Sequence, residues 1–182
     1  MNPKIKEEVK TFVLMGDINE KKIDEFVKTT YGKGIKRTGT IRDKTHWKTI
    51  DWEGEDACVE AKSRSCRYDT FDTTLIGTNK IEEYKQKVQQ GKRCYFLFVF
   101  DEDGTYEWEY TPENLEKVES YTRPDFKPKE FTTFNGKKMN SYIPITDLKR
   151  VSDISSYVPE GVKKYYGKSL LTAGVCYIKL KN

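Results

Sequence analysis

Asp51, Glu60 and Lys62 are the residues whose types and spacing can do chemistry together. If Gly54, Glu55 and Asp56 form a polar turn, then Glu53 faces Cys58, Trp52 faces Val59 and Asp51 lies directly opposite Glu60. In an antiparallel pair that brings two carboxylates to one face, with their Cβ atoms roughly 5 Å apart. Like charges so placed are destabilising unless a cation sits between them. Hard oxygen ligands suit Mg²⁺ or Mn²⁺, which keep several waters and take few carboxylates, so Asp51, Glu60 and the Ala61 carbonyl make a partial shell. Lys62, on the same strand face, can orient or deprotonate a bound water and stabilise charge developing on a phosphate. The chemistry is metal-assisted phosphodiester hydrolysis.

The acid-x-lysine spacing alone is weak, because it recurs at Glu8/Lys10, Glu20/Lys22, Glu83/Lys85, Asp125/Lys127 and Asp147/Lys149. What distinguishes Glu60/Lys62 is an alternating strand pattern, with Val59 and Ala61 on the other face, and an acid across a hairpin. The competing account is a solvated hairpin face held by cross-strand ion pairs of little individual worth.

Composition removes several other chemistries. His46 is the sole histidine, so a Ser-His-Asp, Cys-His or His-dependent nuclease centre would rest on it alone, and it reads as structural. Cys58, Cys66, Cys94 and Cys176 have no CxxC spacing, which argues against a zinc site or a disulfide scaffold and for a reducing, intracellular setting, cytoplasmic or nuclear, not a secreted one. No apolar run reaches the roughly 20 residues a bilayer demands, so no membrane association is expected. Net charge is only +4, so a nucleic-acid footprint would have to be a local patch. The 12 Tyr, 9 Phe and 3 Trp supply apolar surface for a core despite 34% charged residues. Trp47, Trp52 and Tyr95 sit at strand positions and read as core.

The elements that must position the three residues follow from periodicity. Ile18, Ile23, Phe26 and Val27 predict a first helix from about Asp17 to Tyr31, with Asp17 as N-cap and Gly32 and Gly34 as stops. Strands are expected over Ile35 to Ile41 and His46 to Trp52, with Arg42, Asp43 and Lys44 as a turn between them, and then over Cys58 to Lys62. A loop carrying Arg64 and Arg67 leads to a second helix from about Asn79 to Gln90, closed by Gly91. Cys94 to Phe100 reads as a strand buried on both faces, turning through Asp101 to Gly104 into Tyr106 to Tyr110. From Thr111 onward Pro112, Pro124 and Pro128 punctuate a polar stretch with strand-like pieces near Tyr142 and from Val175 to Leu180. The chain thus divides into a core over residues 1–110 and a C-terminal extension over 111–182 packed on the same domain.

Thr49-Ile50-Asp51 followed by Val59-Glu60-Ala61-Lys62 resembles the motif of the PD-(D/E)XK nuclease superfamily, and the element order resembles its αβββαβ core over about residues 17 to 110. The resemblance implies an α/β (α+β) restriction-endonuclease-like fold, a mixed central sheet flanked by helices. It maps Asp51, Glu60 and Lys62 onto the two acids and the lysine, and implies Mg²⁺- or Mn²⁺-dependent cleavage of DNA or, less often, RNA. Members often add an acid from the first helix, for which Glu25 is the candidate and Asp24 the alternative. They often place a polar residue and a tyrosine on the second helix, here Lys80 and Tyr84. Ile50 stands where proline is named in the motif, a frequent departure, and Lys80 stands where glutamine is common in one branch.

Arg64, Arg67, Lys80 and Tyr84 are the candidates for holding a nucleic-acid backbone, weighed against plain solubility and an exposed helix face. Two functions follow from different classes. One is an endo- or exodeoxyribonuclease. The other is a catalytically inactive nuclease-fold protein with a nucleic-acid-binding or structural role, such as a virion component. A homodimer is compatible with either.

Overall fold

From Cys94 to Phe100 every residue is buried, and an all-apolar strand of this kind must be covered on both faces. The computed structural model describes residues 3–32, 34–38, 50–120, 131–133, 136–138, 140–160 and 162. In chain order the elements are α1 (Pro3–Thr30), β1 (Lys36–Arg37), β2 (Trp52–Glu53), β3 (Ala57–Ser63), β4 (Thr73–Gly77), α2 (Thr78–Gln89) and β5 (Arg93–Phe100). They continue with β6 (Gly104–Tyr110), α3 (Pro112–Ser120), β7 (Phe131–Thr133), β8 (Gly136–Lys138), β9 (Asn140–Pro144) and β10 (Lys149–Ser152). The architecture is α+β: a mixed six-stranded sheet ordered β1-β2-β3-β5-β6-β10, with smaller pairs β4-β9 and β7-β8.

β3 and β5 are parallel, in register from Ala57↔Arg93 to Ser63↔Val99, while the other neighbours in the large sheet are antiparallel. A parallel neighbour needs a long return path, and α2 supplies it. Its Ile81 and Tyr84 pack with Cys58, Cys94, Phe96, Phe98 and Trp108 on one face of the sheet. On the other face, Ile23 and Val27 of α1 pack with Trp52, Val59, Tyr95, Leu97 and Val99. β5 is thereby buried between two helices.

The structure corrects the expected elements in particular places. α1 starts at Pro3, so Asp17 lies inside the helix; its carboxylate takes Lys21 at 2.7 Å and Arg37 at 2.9 Å instead of capping. The supposed loop after β3 contains β4, a short run whose Thr73 pairs with Pro144 and Gly77 with Asn140. The helix α3 opens what reads in sequence as an irregular tail: Pro112 fills a first-turn position that needs no N–H, and the Asn114 N–H donates to Thr111 Oγ1 at 3.1 Å. β10 extends the large sheet beside β6. Of the strands expected over residues 35–41 and 46–52, β1 and β2 are described; residues 39–49, including His46 and Trp47, lie outside the described residues, as does the strand expected from Val175 to Leu180.

The chain after β10 straps across the sheet onto α1. The Ser156 N–H donates to Phe100 O at 2.8 Å, and buried Asn19 donates to Ser156 Oγ and Tyr157 O while accepting the Tyr157 N–H. Among the described residues no helix is long and apolar enough to cross a membrane.

Gly104 makes the turn from β5 into β6 at φ +96°, and a Cβ there would stand 2.4 Å from Ser152 O of β10. Gly104→Ala therefore has both a left-handed backbone and a clash with main chain against it. The expected loss is about 2 kcal/mol, read from a urea melt. A variant as stable as the parent would mean that the β6–β10 edge is not packed as described.

Candidate functional site

β2 and β3 pair with Trp52 opposite Val59 and Glu53 opposite Cys58, the register that the polar turn at Gly54 to Asp56 predicts. Asp51 is the next position on the β2 side, beside Glu60. The Ala61 N–H donates to Asp51 Oδ2 at 2.8 Å, which ties the loop residue to the strand carrying the second acid. Glu60 is 1% exposed. Its Oε1 takes the ammonium of Lys62, two residues along the same strand, and that of Lys80 from the first turn of α2 at 2.8 Å. Its Oε2 is buried with no hydrogen-bond partner among the described residues.

Three carboxylates feel one another here. Burial and the negative charge of Glu60 push the Asp51 carboxyl up to about 8, against the pull of Lys62 and the Ala61 N–H. Burial also raises Glu20 of α1, with Glu60 adding to the rise and Arg37 and Lys62 opposing it. Arg37 of β1 binds both Glu20 and Asp17, and Lys21 also meets Asp17, so the acids at the middle of α1 are countered from the sheet edge and from the helix itself. For Lys62, burial pulls down, but Glu60 and Asp51 outweigh it and hold the ammonium above its ordinary range. Lys62 is therefore a cation at neutral pH, suited to stabilising negative charge and donating hydrogen bonds.

Several sequence candidates stand elsewhere. Glu25 is exposed, its charge felt by Lys28, and Asp24 accepts from Trp52 Nε1 at 2.8 Å and from Lys28. The first-helix acid coupled to Asp51 and Glu60 is Glu20. The signal was present: Glu20 falls three residues before Ile23 and seven before Val27, on the stripe that packs against the sheet, whereas Glu25 is off that stripe. Tyr84 is a correction of a different kind. It is fully buried, its ring 4.4 Å from that of Phe96 and its hydroxyl donating to Tyr95 O at 3.2 Å, so it belongs to the core and presents nothing to a phosphate backbone. Arg64 is drawn inward: its Nε donates to Thr74 Oγ1 at 3.0 Å, its Nη2 to Leu75 O, and its guanidinium lies over the Phe98 ring. It ties β3 to β4. Arg67 is exposed and bonds Asp103 in the β5–β6 turn at 3.4 Å. Of the basic candidates, Lys80 alone reaches Glu60.

Among the described residues no three His, Cys, Asp or Glu side chains stand together in a way that would hold a metal ion. The donors that do converge are two carboxylates, Asp51 and Glu60, with the Ala61 backbone between them. That set fits a cation that keeps most of its waters. The open Glu60 Oε2 and the like-charge crowding of Asp51 are the two local features such an ion would relieve. Comparison with protein-family models, with curated proteins and with solved structures finds no match.

The Asp51 shift has a definite sign in stability. Its carboxyl rises from the ordinary 3.8 to about 8, so between those values the native protein holds a proton that the unfolded chain releases. The contribution is fully present below about pH 4 and is lost as pH rises through 8. Asp51→Asn, free of metal, should therefore melt a few degrees above the parent at pH 8, with the gain shrinking toward pH 5. pH-resolved thermal melts check this; a gain that does not vary with pH would place Asp51 away from Glu60.

Proposed function

We propose that this chain is a restriction-endonuclease-like, metal-dependent nuclease that hydrolyses phosphodiester bonds in DNA. The observation that carries the reading is the convergence of Asp51 and Glu60 across the β2–β3 hairpin with Lys62 on the same face of β3. Further support comes from the element order, since α1, β1, β2, β3, α2 and β5, with β3 parallel to β5, follow the αβββαβ sequence of that fold once β4 is set aside as an insertion.

Asp51, Glu60 and the Ala61 carbonyl would hold Mg²⁺ or Mn²⁺, which supplies Lewis-acid polarisation of the phosphate. Lys62 contributes a fixed positive charge, held as ammonium by Glu60 and Asp51, toward the charge that develops on the non-bridging oxygens. Glu20 and Arg37 orient the α1 side of the site without adding net charge. α2 closes the opposite side with Lys80.

A second reading is favoured by one specific observation: Glu60 already carries two ammonium partners. In that reading the nuclease fold persists without catalysis, as a nucleic-acid-binding or structural protein such as a virion component, and the two lysines simply neutralise a buried acid.

Incubation of the purified protein with linear, circular and branched DNA, with and without Mg²⁺ or Mn²⁺, separates the two. The nuclease reading expects metal-dependent cleavage that falls by on the order of 10²-fold or more in Lys62→Ala. Cleavage absent on every substrate, or equal in the variant, sinks it in favour of the second reading.

A further inference from the structure

The proposed chemistry has no use for Lys80. Its ammonium lies 2.8 Å from Glu60 Oε1, with the side chain 15% exposed, half the figure for Lys62 at 31%. Glu60 thus already faces two positive charges within the chain, Lys62 and Lys80, while Asp17 is met by Lys21 and Arg37 and Glu20 by Arg37. A divalent cation entering beside Glu60 would meet two ammonium ions where hydrolysis calls for one. At a few ångströms, in surroundings that screen poorly, the surplus charge repels the newcomer. The two lysines are not equivalent in this respect. Lys62 shares a strand with Glu60 and partners it whatever α2 does, whereas Lys80 arrives from the first turn of α2 and joins that helix to β3. Both ammonium ions also use the same oxygen, leaving Oε2 to a third occupant.

We propose that Lys80 is a resident counter-ion that occupies Glu60 in the metal-free protein and competes with the divalent cation for it, so that α2 sets the cation concentration at which the site loads. The inference rests on reading Asp51 and Glu60 as a cation site. It makes loading an exchange: the ion enters as the α2–β3 ion pair is given up. It also accounts for a lysine where a neutral amide would orient the acid equally well, since a neutral side chain offers no competition.

The test uses the full chain, Mn²⁺ as the probe, and binding measured by electron paramagnetic resonance of the free ion, with melting of the metal-free protein as a second readout. Lys80→Met keeps the length and removes the charge; Lys80→Gln is the second variant should the first fold poorly; Glu60→Gln is the control. Either Lys80 variant should bind Mn²⁺ on the order of tenfold more tightly than the parent. The same variants should melt lower without metal, because Glu60 loses a counter-charge, and should gain more on adding Mn²⁺. If the parent binds Mn²⁺ through Glu60 and the Lys80 variants bind equally or more weakly, the competition is overturned and the cation site stands. If parent and Lys80 variants alike show no saturable, Glu60-dependent binding, the cation site itself falls and takes the inference with it.

Discussion

A carboxylate at Glu60, all but sealed from solvent, is the constraint around which the site is built. An isolated charge in such a place is costly enough that it must be paired or neutralised. The chain answers from two directions, with Lys62 along the strand and Lys80 across from α2. The second of these fixes how the first turn of α2 meets β3, and so bears on the crossover that makes β3 and β5 parallel. Asp51 is then forced into the same neighbourhood by hairpin register, where its own charge is the least welcome in the group. Site and topology are thus coupled: shifting the β2–β3 register by one residue would send Glu60 and Lys62 to the α1 face and Val59 and Ala61 to the face of α2.

The apolar architecture makes this arrangement tolerable. Phe96, Phe98 and Trp108 beneath α2, and Leu97 and Val99 beneath α1, are essentially sealed from solvent, so β5 is held on both faces by contacts independent of the charged cluster. Large buried aromatic side chains dominate such cores energetically. The strained electrostatics sit at one side of the sheet, on β3 and the loop before β2, beside a strand that needs no help from them. A carboxylate pair that opposes folding while the core favours it is the usual relation between a working site and its scaffold.

The parts legible in the sequence were those in which local pattern and final packing agree. The apolar run of β5, the closing Gly91 of α2 and the Gly54 turn each state their structure in a few residues. What could not be read has identifiable causes. The first half of α1 places Ile5, Val9, Phe12 and Val13 at helical intervals, but Asp17 is of a type that caps helices, so the helix seemed to begin there. β4 is five residues whose partner, β9, lies far along the chain, and no local pattern reports a pairing that distant. Glu25 and Asp24 are acids of the first helix by type alone, whereas Glu20 is set apart by the helix face that meets the sheet. Tyr84 is the second-helix tyrosine that the family resemblance implies for the site, yet its ring packs with Phe96 and Cys94 in the core.

Whether the site works as a cation centre or as a neutralised relic turns on charge balance more than on motif. Two carboxylates and one lysine leave a net negative charge that invites an ion. Two carboxylates and two lysines do not, and the second lysine stands where the resemblance implies only a polar residue. Yet full neutralisation would predict a comfortable Asp51, and Asp51 is not comfortable: its carboxylate accepts the Ala61 N–H, but burial with Glu60 still drives its proton affinity up to about 8. Glu60 in turn leaves one buried oxygen without a hydrogen-bond partner among the described residues. Both residual deficits are of the sign that a cation beside Asp51 and Glu60 would correct and that, among the described residues, no further side chain does. A solvated ion-pair face would leave neither.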